Sequence, residues 1–257
     1  MNTKKLIIGN WKMNPKTLAL AKAQFSAIKK EAGKYKMVSV GISAPYIFLP
    51  ELSKMASASL FVSAQNISSE KEGAHTGEVS SDMLSSMKIR NTIIGHSERR
   101  ALGETNDFIN KKIKSALRTK MNPVLCVGEL ERDSGMWYLG FVKTQIEECL
   151  AGIPKASLKN IVIAYEPVWA ISSTENHREA TPADFQEMKI YIQKVLSDMY
   201  GTPVHVPVLY GGSVDEKNAK GFLVEGGADG LLVGRSSLTP KKFVSIISIA
   251  HAINQNS

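Results

Sequence analysis

The chain has 257 residues, a formal net charge of +8, and 43% hydrophobic against 22% charged residues, a composition typical of globular proteins with an apolar core. Its longest apolar runs, such as residues 244–250, are far too short to cross a bilayer, and the N-terminal residues lack the pattern of a signal peptide. We therefore expect a cytoplasmic protein with no membrane partner.

Cysteine content and charge exclude further classes. Cys126 and Cys149 are too few for a disulfide scaffold and are not spaced like metal ligands, so we expect two reduced core thiols and no metal site. The lysines are dispersed in pairs such as Lys111-Lys112, without interleaved aromatic residues. This pattern predicts solvated helix faces and no nucleic-acid partner, while a mildly positive field suits a small phosphorylated substrate.

Along the chain, short runs rich in valine and isoleucine alternate with longer stretches of helical periodicity. Eight runs predict strands: Leu6–Gly9, Met37–Ile42, Leu60–Ala64, Thr92–Gly95, Pro123–Val127, Ile161–Tyr165, Pro207–Tyr210 and Gly230–Val233. Amphipathic segments between them predict helices, among them Leu18–Ile28, Phe108–Leu117, Tyr138–Leu150, Ala183–Leu196 and Phe243–His251. Near-continuous apolar strands indicate a parallel sheet covered by helices, and eight such units predict an α/β fold with a single (β/α)8 barrel over residues 1–257.

Active sites of such barrels lie at the C-terminal ends of the strands. Polar and glycine residues follow the predicted strands at that end: Asn10 to Asn14, Gln65-Asn66, His96-Ser97-Glu98, Glu166, Gly211-Gly212-Ser213 and Gly234-Arg235-Ser236. The sequence therefore predicts one site on this rim.

Glu166 directly follows a predicted strand and precedes Pro167, which holds its backbone extended. Partial desolvation by Tyr165 and Trp169 would raise the pKa of a carboxylate there and suit it to act as a general base. The alternative is a loop glutamate in a salt bridge.

Two further side chains on the rim have the right chemistry. Lys12, flanked by Asn10 and Asn14, is placed to neutralise a phosphate or a developing oxyanion, although a surface ammonium is the alternative. His96 opens a short helix, whose N-terminal potential lowers the pKa of the imidazole and keeps it a neutral hydrogen-bond donor. A capping or core histidine is the alternative there.

The glycine turns Gly211-Gly212-Ser213 and Gly234 can present backbone amides to a phosphate at a helix N-terminus. Glycine is common in such turns, so each is weak evidence alone. Together they follow the last two predicted strands, where phosphate sites of this fold often form.

The motifs on these residues make nearly the whole chain resemble the triosephosphate isomerase family. They are NWKMN (10–14), GAHTGE (73–78), GHSERR (95–100), CVGE (126–129), AYEPVWAI (164–171) and YGGSV (210–214). The resemblance implies a TIM barrel that interconverts dihydroxyacetone phosphate and D-glyceraldehyde 3-phosphate, a step of glycolysis and gluconeogenesis, without a cofactor.

By this resemblance Glu166 moves a proton between adjacent carbons, His96 polarises the carbonyl as a neutral electrophile, and Lys12 with Asn10 stabilises the enediolate and phosphate charge. This is the established mechanism of that family. The resemblance also implies substrate- or phosphate-binding roles for Ser172, Gly212, Ser213, Gly234 and Arg235, and supporting roles for Thr76, Ser97, Glu98 and Tyr210.

The resemblance further implies a homodimer, with a homotetramer left open. The loop from Gln65 to Glu78 would insert into the partner subunit and place Thr76 near the partner's Lys12.

The chain departs from the family pattern at three places. Residues 172–177 replace a glycine-containing lid tip with a longer segment without glycine, Arg235 stands where a second glycine is common, and the turn at residues 100–104 is one residue short. Arg235 could add charge to the site or point away. The altered lid keeps two alternatives open: an isomerase of a four-carbon ketose phosphate, and a barrel that binds phosphorylated metabolites without catalysis.

Overall fold

The computed structural model of the protein describes residues 4–171, 178–201 and 204–255. Eight parallel strands close into a barrel in chain order, β1 pairing with β2 on one side and with β8 on the other. The strands are β1 Lys5–Asn10, β2 Val38–Ala44, β3 Phe61–Ala64, β4 Asn91–Ile94, β5 Asn122–Val127, β6 Val162–Tyr165, β7 Val208–Tyr210 and β8 Gly230–Val233. The predicted (β/α)8 barrel is confirmed.

Helices surround the barrel on its outer face. They are α1 Leu18–Ala32, α2 Leu49–Met55, α3 Ser81–Ser86, α4 Ser97–Ala101, α5 Asn106–Arg118, α6 Trp137–Cys149, α7 Pro182–Tyr200, α8 Ala219–Val224 and α9 Pro240–Gln255. Short 3-10 turns lie at Tyr46–Phe48, Lys155–Asn160, Val168–Ala170 and Arg235–Leu238. Within the described ranges, none of these helices has the length and apolar character needed to cross a membrane.

Threonine caps set where three of the helices begin. The hydroxyls of Thr17 and Thr105 accept the backbone N–H groups of Leu20 and Phe108, at the starts of α1 and α5. Thr181 and Asp184 form a reciprocal capping box at the start of α7. Because an N-cap satisfies otherwise unpaired amides, α5 begins two residues before the predicted start.

The strands separate two apolar layers. Alternate side chains such as Ile8 and Leu232 fill the barrel interior, whereas their neighbours Ile7 and Leu231 pack outward against the helices. This period of two places every strand between two buried faces, which accounts for the continuous apolar runs in the sequence. Cys126 faces the interior, and both cysteines are buried and unpaired, as expected.

The expectation that the Lys111-Lys112 pair is solvated is wrong for Lys112. Lys111 is exposed and pairs with Asp107, but the side chain of Lys112 is fully buried. Its ammonium lies 2.6 Å from Glu104 Oε1 and donates to Asn66 Oδ1 at 2.8 Å. Burial lowers the pKa of Lys112, and the hydrogen bond that its ammonium donates to Glu104 opposes that change. Pairing with the Glu104 carboxylate offsets the free-energy cost of burying the Lys112 ammonium.

Replacing Lys112 by methionine is expected to destabilise the protein by about 3 kcal/mol, because Glu104 is left buried with one cation fewer. Urea unfolding at neutral pH measures this change. Lys111→Met is the matched control, and its exposed position predicts a change within about 0.5 kcal/mol. Equal effects of the two substitutions would contradict the assigned burial of Lys112.

Candidate active site

The residues predicted for the rim surround one cavity of about 450 Å³ at the C-terminal ends of the strands. Its lining includes Asn10, Lys12, His96, Glu98, Glu166, Gly212, Ser213, Gly234 and Arg235. Ser172 lies outside the described residues. The structure therefore brings these predicted residues together around one cavity, at or just after the ends of β1, β4, β6, β7 and β8.

Glu166 is held between the backbone ends of its two neighbouring strands, β5 and β7. It is 2% exposed, and its backbone N–H donates to Val127 O at 2.8 Å. A Cβ atom at Gly128 would lie 1.9 Å from Glu166 O, and one at Gly211 would lie 2.9 Å from Glu166 Cγ. The two glycines therefore form a slot in which Gly128 borders the backbone of Glu166 and Gly211 borders its side chain.

The two carboxylate oxygens of Glu166 differ in their partners. Oε2 accepts the backbone N–H of Ser97 at 3.0 Å. Oε1 approaches Nε2 of His96 to 3.3 Å without the alignment of a hydrogen bond, and among the described residues it has no hydrogen-bond partner. An unpaired buried carboxylate oxygen costs free energy, so Oε1 is the atom available to a proton from a ligand.

His96 sits at the N-terminus of α4, and its Nδ1 accepts the backbone N–H of Glu98 at 3.2 Å. This hydrogen-bond pattern assigns the neutral tautomer, in which Nε2 carries the hydrogen. Nε2 is also the atom that faces Glu166. His96 is thus both a helix cap and a neutral donor into the cavity, so the two interpretations of this residue are compatible.

Lys12 is positioned by a strained backbone and two amides. Its φ angle of 51° is left-handed, which is unfavourable for a lysine. Asn10 Oδ1 accepts the N–H of Lys12 at 3.0 Å, and Gln65 Nε2 donates to Lys12 O at 2.9 Å and also contacts Asn10 Oδ1 at 3.2 Å. The ammonium lies 2.6 Å from Glu98 Oε1. Lys12 is therefore fixed at the cavity wall and is not a free surface ammonium.

The last two strands supply the polar end of the cavity. Ser213 Oγ is buried and has no hydrogen-bond partner within the described part of the chain. A Cβ at Gly234 would lie 3.8 Å from Lys12 Cε, so this turn is adjacent to the lysine side chain. Arg235 is exposed and lines the cavity, so its charge belongs to the cavity wall. Amides, a hydroxyl and two cations in one place suit a phosphate.

Comparison with known proteins follows this geometry. A family model described as "Triosephosphate isomerase" matches residues 5–250. The triosephosphate isomerase of Dehalococcoides mccartyi is 42% identical over 246 residues, covering 94% of this chain and 95% of the relative. That of Dictyoglomus thermophilum is 40% identical over 250 residues, covering 95% and 98%.

This chain belongs to the triosephosphate isomerase family. A third relative, the triosephosphate isomerase of Protochlamydia amoebophila, is 38% identical over 249 residues, covering 95% of this chain and 92% of the relative. The family match therefore covers almost the whole barrel, including the residues that were identified from motifs.

Three of the predicted supporting residues lie outside the cavity lining. Ser97 contributes its amide to Glu166, and Tyr210 is buried, stacked on Phe222 with ring centroids 3.7 Å apart. A Cβ at Gly212 would lie 2.3 Å from the Tyr210 hydroxyl, so Tyr210 supports the turn from behind. Thr76 lies on an exposed loop and does not line the cavity.

Tyr165 and Trp169, the residues expected to desolvate Glu166, also hold a second carboxylate by hydrogen bonds. The Tyr165 hydroxyl and the Trp169 indole N–H donate to Glu129 Oε1 at 2.6 and 2.8 Å. Glu129 is 1% exposed, and burial together with this carboxylate raises the pKa of Tyr165, which keeps the phenol a donor. The aromatic pair thus anchors a second buried glutamate that sequence reasoning missed as a functional residue. The alternation of side chains along β6 was the available signal.

Gln65 is also a site residue that the sequence reasoning did not assign. It follows β3 directly and donates to Asn10 Oδ1, to Lys12 O and to Ser43 O at 3.1 Å. The only sign of this role in the sequence was its place among the polar residues that follow the strands. Its hydrogen-bond partners are distant in the sequence and are brought to it by the barrel.

Replacing Gly211 by alanine is expected to lower turnover by about 100-fold. The new methyl group would overlap Glu166 Cγ and displace the carboxylate from its catalytic position. The contact is with a side chain, so the fold should be retained. Steady-state kinetics with far-UV circular dichroism measure both. Gly33→Ala is the control, since a Cβ there meets only ordinary contacts at 3.8 Å. Unchanged turnover in Gly211→Ala would show that the slot does not position Glu166.

Proposed function

We propose that this chain interconverts dihydroxyacetone phosphate and D-glyceraldehyde 3-phosphate by proton transfer through an enediolate. The observation that carries the proposal is the convergence of Glu166 Oε1 and His96 Nε2 within 3.3 Å in a cavity that Lys12 also lines. A base, a neutral donor and a cation facing one space are what an aldose–ketose isomerisation requires. The family membership supports the same reaction.

The proposed steps follow from these atoms. Glu166 removes a proton from the carbon beside the carbonyl, and the electron pair of that C–H bond forms the enediolate double bond. His96 donates its Nε2 hydrogen bond to the oxygen that gains charge, and Lys12 with Asn10 stabilises that charge. In the enediolate the hydroxyl proton of the first carbon passes to the former carbonyl oxygen beside His96. Protonated Glu166 then returns its proton to the adjacent carbon, whose neighbour becomes the new carbonyl. Protons and electrons balance within the substrate, and no cofactor enters the scheme.

In this proposal the phosphate occupies the end of the cavity formed by Gly212, Ser213, Gly234 and Arg235. Backbone amides favour anions there, and the Ser213 hydroxyl, which has no partner among the described residues, gains one in the phosphate. The cations of Lys12 and Arg235 offset the phosphate charge. Neither the cavity nor the relatives give specific support to a four-carbon ketose phosphate or to a barrel without catalytic activity.

A panel of three- and four-carbon phosphorylated ketoses and aldoses tests the substrate. Coupled assays should give turnover with both triose phosphates and at most weak turnover with tetrulose phosphates. Faster turnover of a tetrulose phosphate would reassign the substrate and leave the reaction type. Binding of an enediolate mimic without turnover of any sugar phosphate would overturn the reaction type as well.

Shortening the proposed base tests its role directly. Glu166→Asp is expected to lower kcat by about 100-fold with a small change in KM, because the carboxylate retreats by about 1 Å while the phosphate contacts remain. Glu225→Asp, an exposed substitution, is the control and should not change either constant. Full kcat in Glu166→Asp would remove Glu166 from the role of base.

We propose that the active form is a cytoplasmic homodimer. Residues 70–78 are exposed in one subunit, and Met13 and Ile47 are 94% and 78% exposed, which is unusual for such large apolar side chains. By the family resemblance we infer that this loop packs against the partner subunit, with Thr76 near the partner's Lys12. A tetramer would require a further interface of the same kind.

An arginine in place of Thr76 is expected to shift the protein from dimer to monomer and to lower turnover at least tenfold, because a second cation would approach the partner's Lys12. Light scattering after size exclusion gives the mass, and the coupled assay gives turnover. Ala156→Arg, exposed and away from the loop, should leave both unchanged. A monomeric wild type with full activity would refute the dimer, and a mass of four subunits would favour the tetramer.

A further inference from the structure

The end of strand β5 borders a second cavity beside the candidate active site, between the segment that follows β4 and helix α6. Its volume is about 870 Å³. Glu166 lines both cavities, and Gly128, Trp137, Phe141 and Gln145 line the second. Atoms that face a cavity lose packing contacts on that side. The hydrogen bonds of Gly128 therefore contribute more to its position than they would in a filled core.

Strand β4 ends too early to pair with Gly128. Its last residue, Ile94, pairs with Leu125 of β5. A continued register would place Ser97 opposite Gly128, but Ser97 begins α4 and gives its amide to Glu166 Oε2. Gly128 is buried, and buried backbone N–H and C=O groups need partners. On this side of β5, partners for Gly128 therefore have to come from outside the sheet.

The side chain of Gln145, on helix α6, supplies both partners. Its Oε1 accepts the N–H of Gly128 at 2.8 Å, and its Nε2 donates to the carbonyl of Gly128 at 3.2 Å. Gln145 is 4% exposed. A carboxamide suits this place because it carries an acceptor and a donor side by side and has no charge to bury. Gln145 thus takes the part of a strand neighbour at the end of β5.

One peptide unit connects Gln145 to the backbone of the proposed base. The peptide between Val127 and Gly128 donates its N–H to Gln145 Oε1. The carbonyl of the same peptide, Val127 O, accepts the N–H of Glu166 at 2.8 Å. Because a peptide unit is planar, a rotation of it changes both hydrogen bonds together. Holding this plane therefore holds the backbone from which the Glu166 carboxylate extends.

We propose that Gln145 is a positioning residue for the isomerisation. By pairing both polar groups of Gly128 it fixes the end of β5 and, through that strand, the distance between the Glu166 carboxylate and the substrate carbon. Gln145 does not line the active-site cavity, so it acts through Glu166 and not on the substrate. This role rests on the proposed function. Its loss should slow proton transfer and leave phosphate binding intact.

Gln145→Met tests this role, because methionine has a similar length and volume and lacks the amide donor and acceptor. We expect kcat to fall about tenfold, since a small displacement of a catalytic group has a large effect on rate. KM for the triose phosphates and the inhibition constant of inorganic phosphate should change less than about twofold, because the proposed phosphate site follows β7 and β8. Steady-state kinetics with and without inorganic phosphate measure all three constants.

Asn110→Leu is the matched control. Asn110 is also a buried carboxamide, 5% exposed, and it donates to Cys149 O and Ala151 O at 2.8 and 3.0 Å. These partners lie at the C-terminal end of α6 and beyond it, not on β5. Both substitutions remove two buried hydrogen bonds, so both should lower Tm, whereas only Gln145→Met should lower kcat.

Far-UV circular dichroism checks the fold of each variant. If Gln145→Met does not fold, Gln145→Asn takes its place, because asparagine keeps the carboxamide and is one methylene too short to reach Gly128. The expected loss of kcat is the same.

A double-mutant cycle with Glu166→Asp separates positioning from a general loss of structure. If Gln145 acts through the Glu166 carboxylate, Gln145→Met should lower kcat less than about threefold once that carboxylate has already retreated. A substitution that disturbs the whole site would lower kcat by the same factor in both backgrounds.

Four results would overturn the role of Gln145: unchanged kcat in Gln145→Met, an equal loss of kcat in Asn110→Leu, equal losses in both backgrounds of the cycle, or a raised KM with full kcat. A wild type that turns over no sugar phosphate would overturn the proposed function and, with it, the role that rests on it. Because wild type is assayed beside the variants, the two failures are distinguishable.

Discussion

The close approach of backbone on both sides of Glu166 is the constraint on which the rest of the structure depends. The parallel barrel brings the ends of β5 and β7 so near to β6 that a Cβ at position 128 would meet the Glu166 carbonyl and one at position 211 would meet Glu166 Cγ. A side chain held in this way loses little further entropy when it acts, which is the physical content of preorganisation. The hydrogen bond from the Ser97 amide then fixes one carboxylate oxygen and leaves the other for chemistry.

Around that slot, buried polar groups keep the loops in one arrangement. Glu129 gathers Tyr165 and Trp169, so the segment that leaves β6 is tied to the end of β5. Gln65 ties the strained turn at Lys12 to its neighbours in the same manner. Such networks cost free energy when partly satisfied and confer rigidity when complete. The buried polar groups at the rim therefore lower the stability of the barrel while they position a base and a cation.

Local sequence patterns predicted the fold and most of the rim residues. Strand positions followed from apolar runs, and Glu166, His96 and Lys12 followed from being directly after them. Local sequence patterns could not predict which side chains interact across the barrel. Lys112 looks like its exposed neighbour and is buried, because Glu104, eight residues earlier and across a turn, lies against it. Tyr165 is next to Glu166 in the chain and serves Glu129, because successive strand residues face opposite sides.

A single carboxylate separates two cavities of different chemistry. On one side Glu166 faces His96, with amides and cations that suit an anionic sugar phosphate. On the other side it lines a cavity together with Trp137 and Phe141 of α6. Because α6 holds Gly128 through Gln145, a shift of that helix would be felt at the slot before it was felt anywhere else on the rim. Packed interiors transmit such displacements rather than absorb them. The rigidity that prepares Glu166 for proton transfer therefore also makes its position sensitive to displacements of α6.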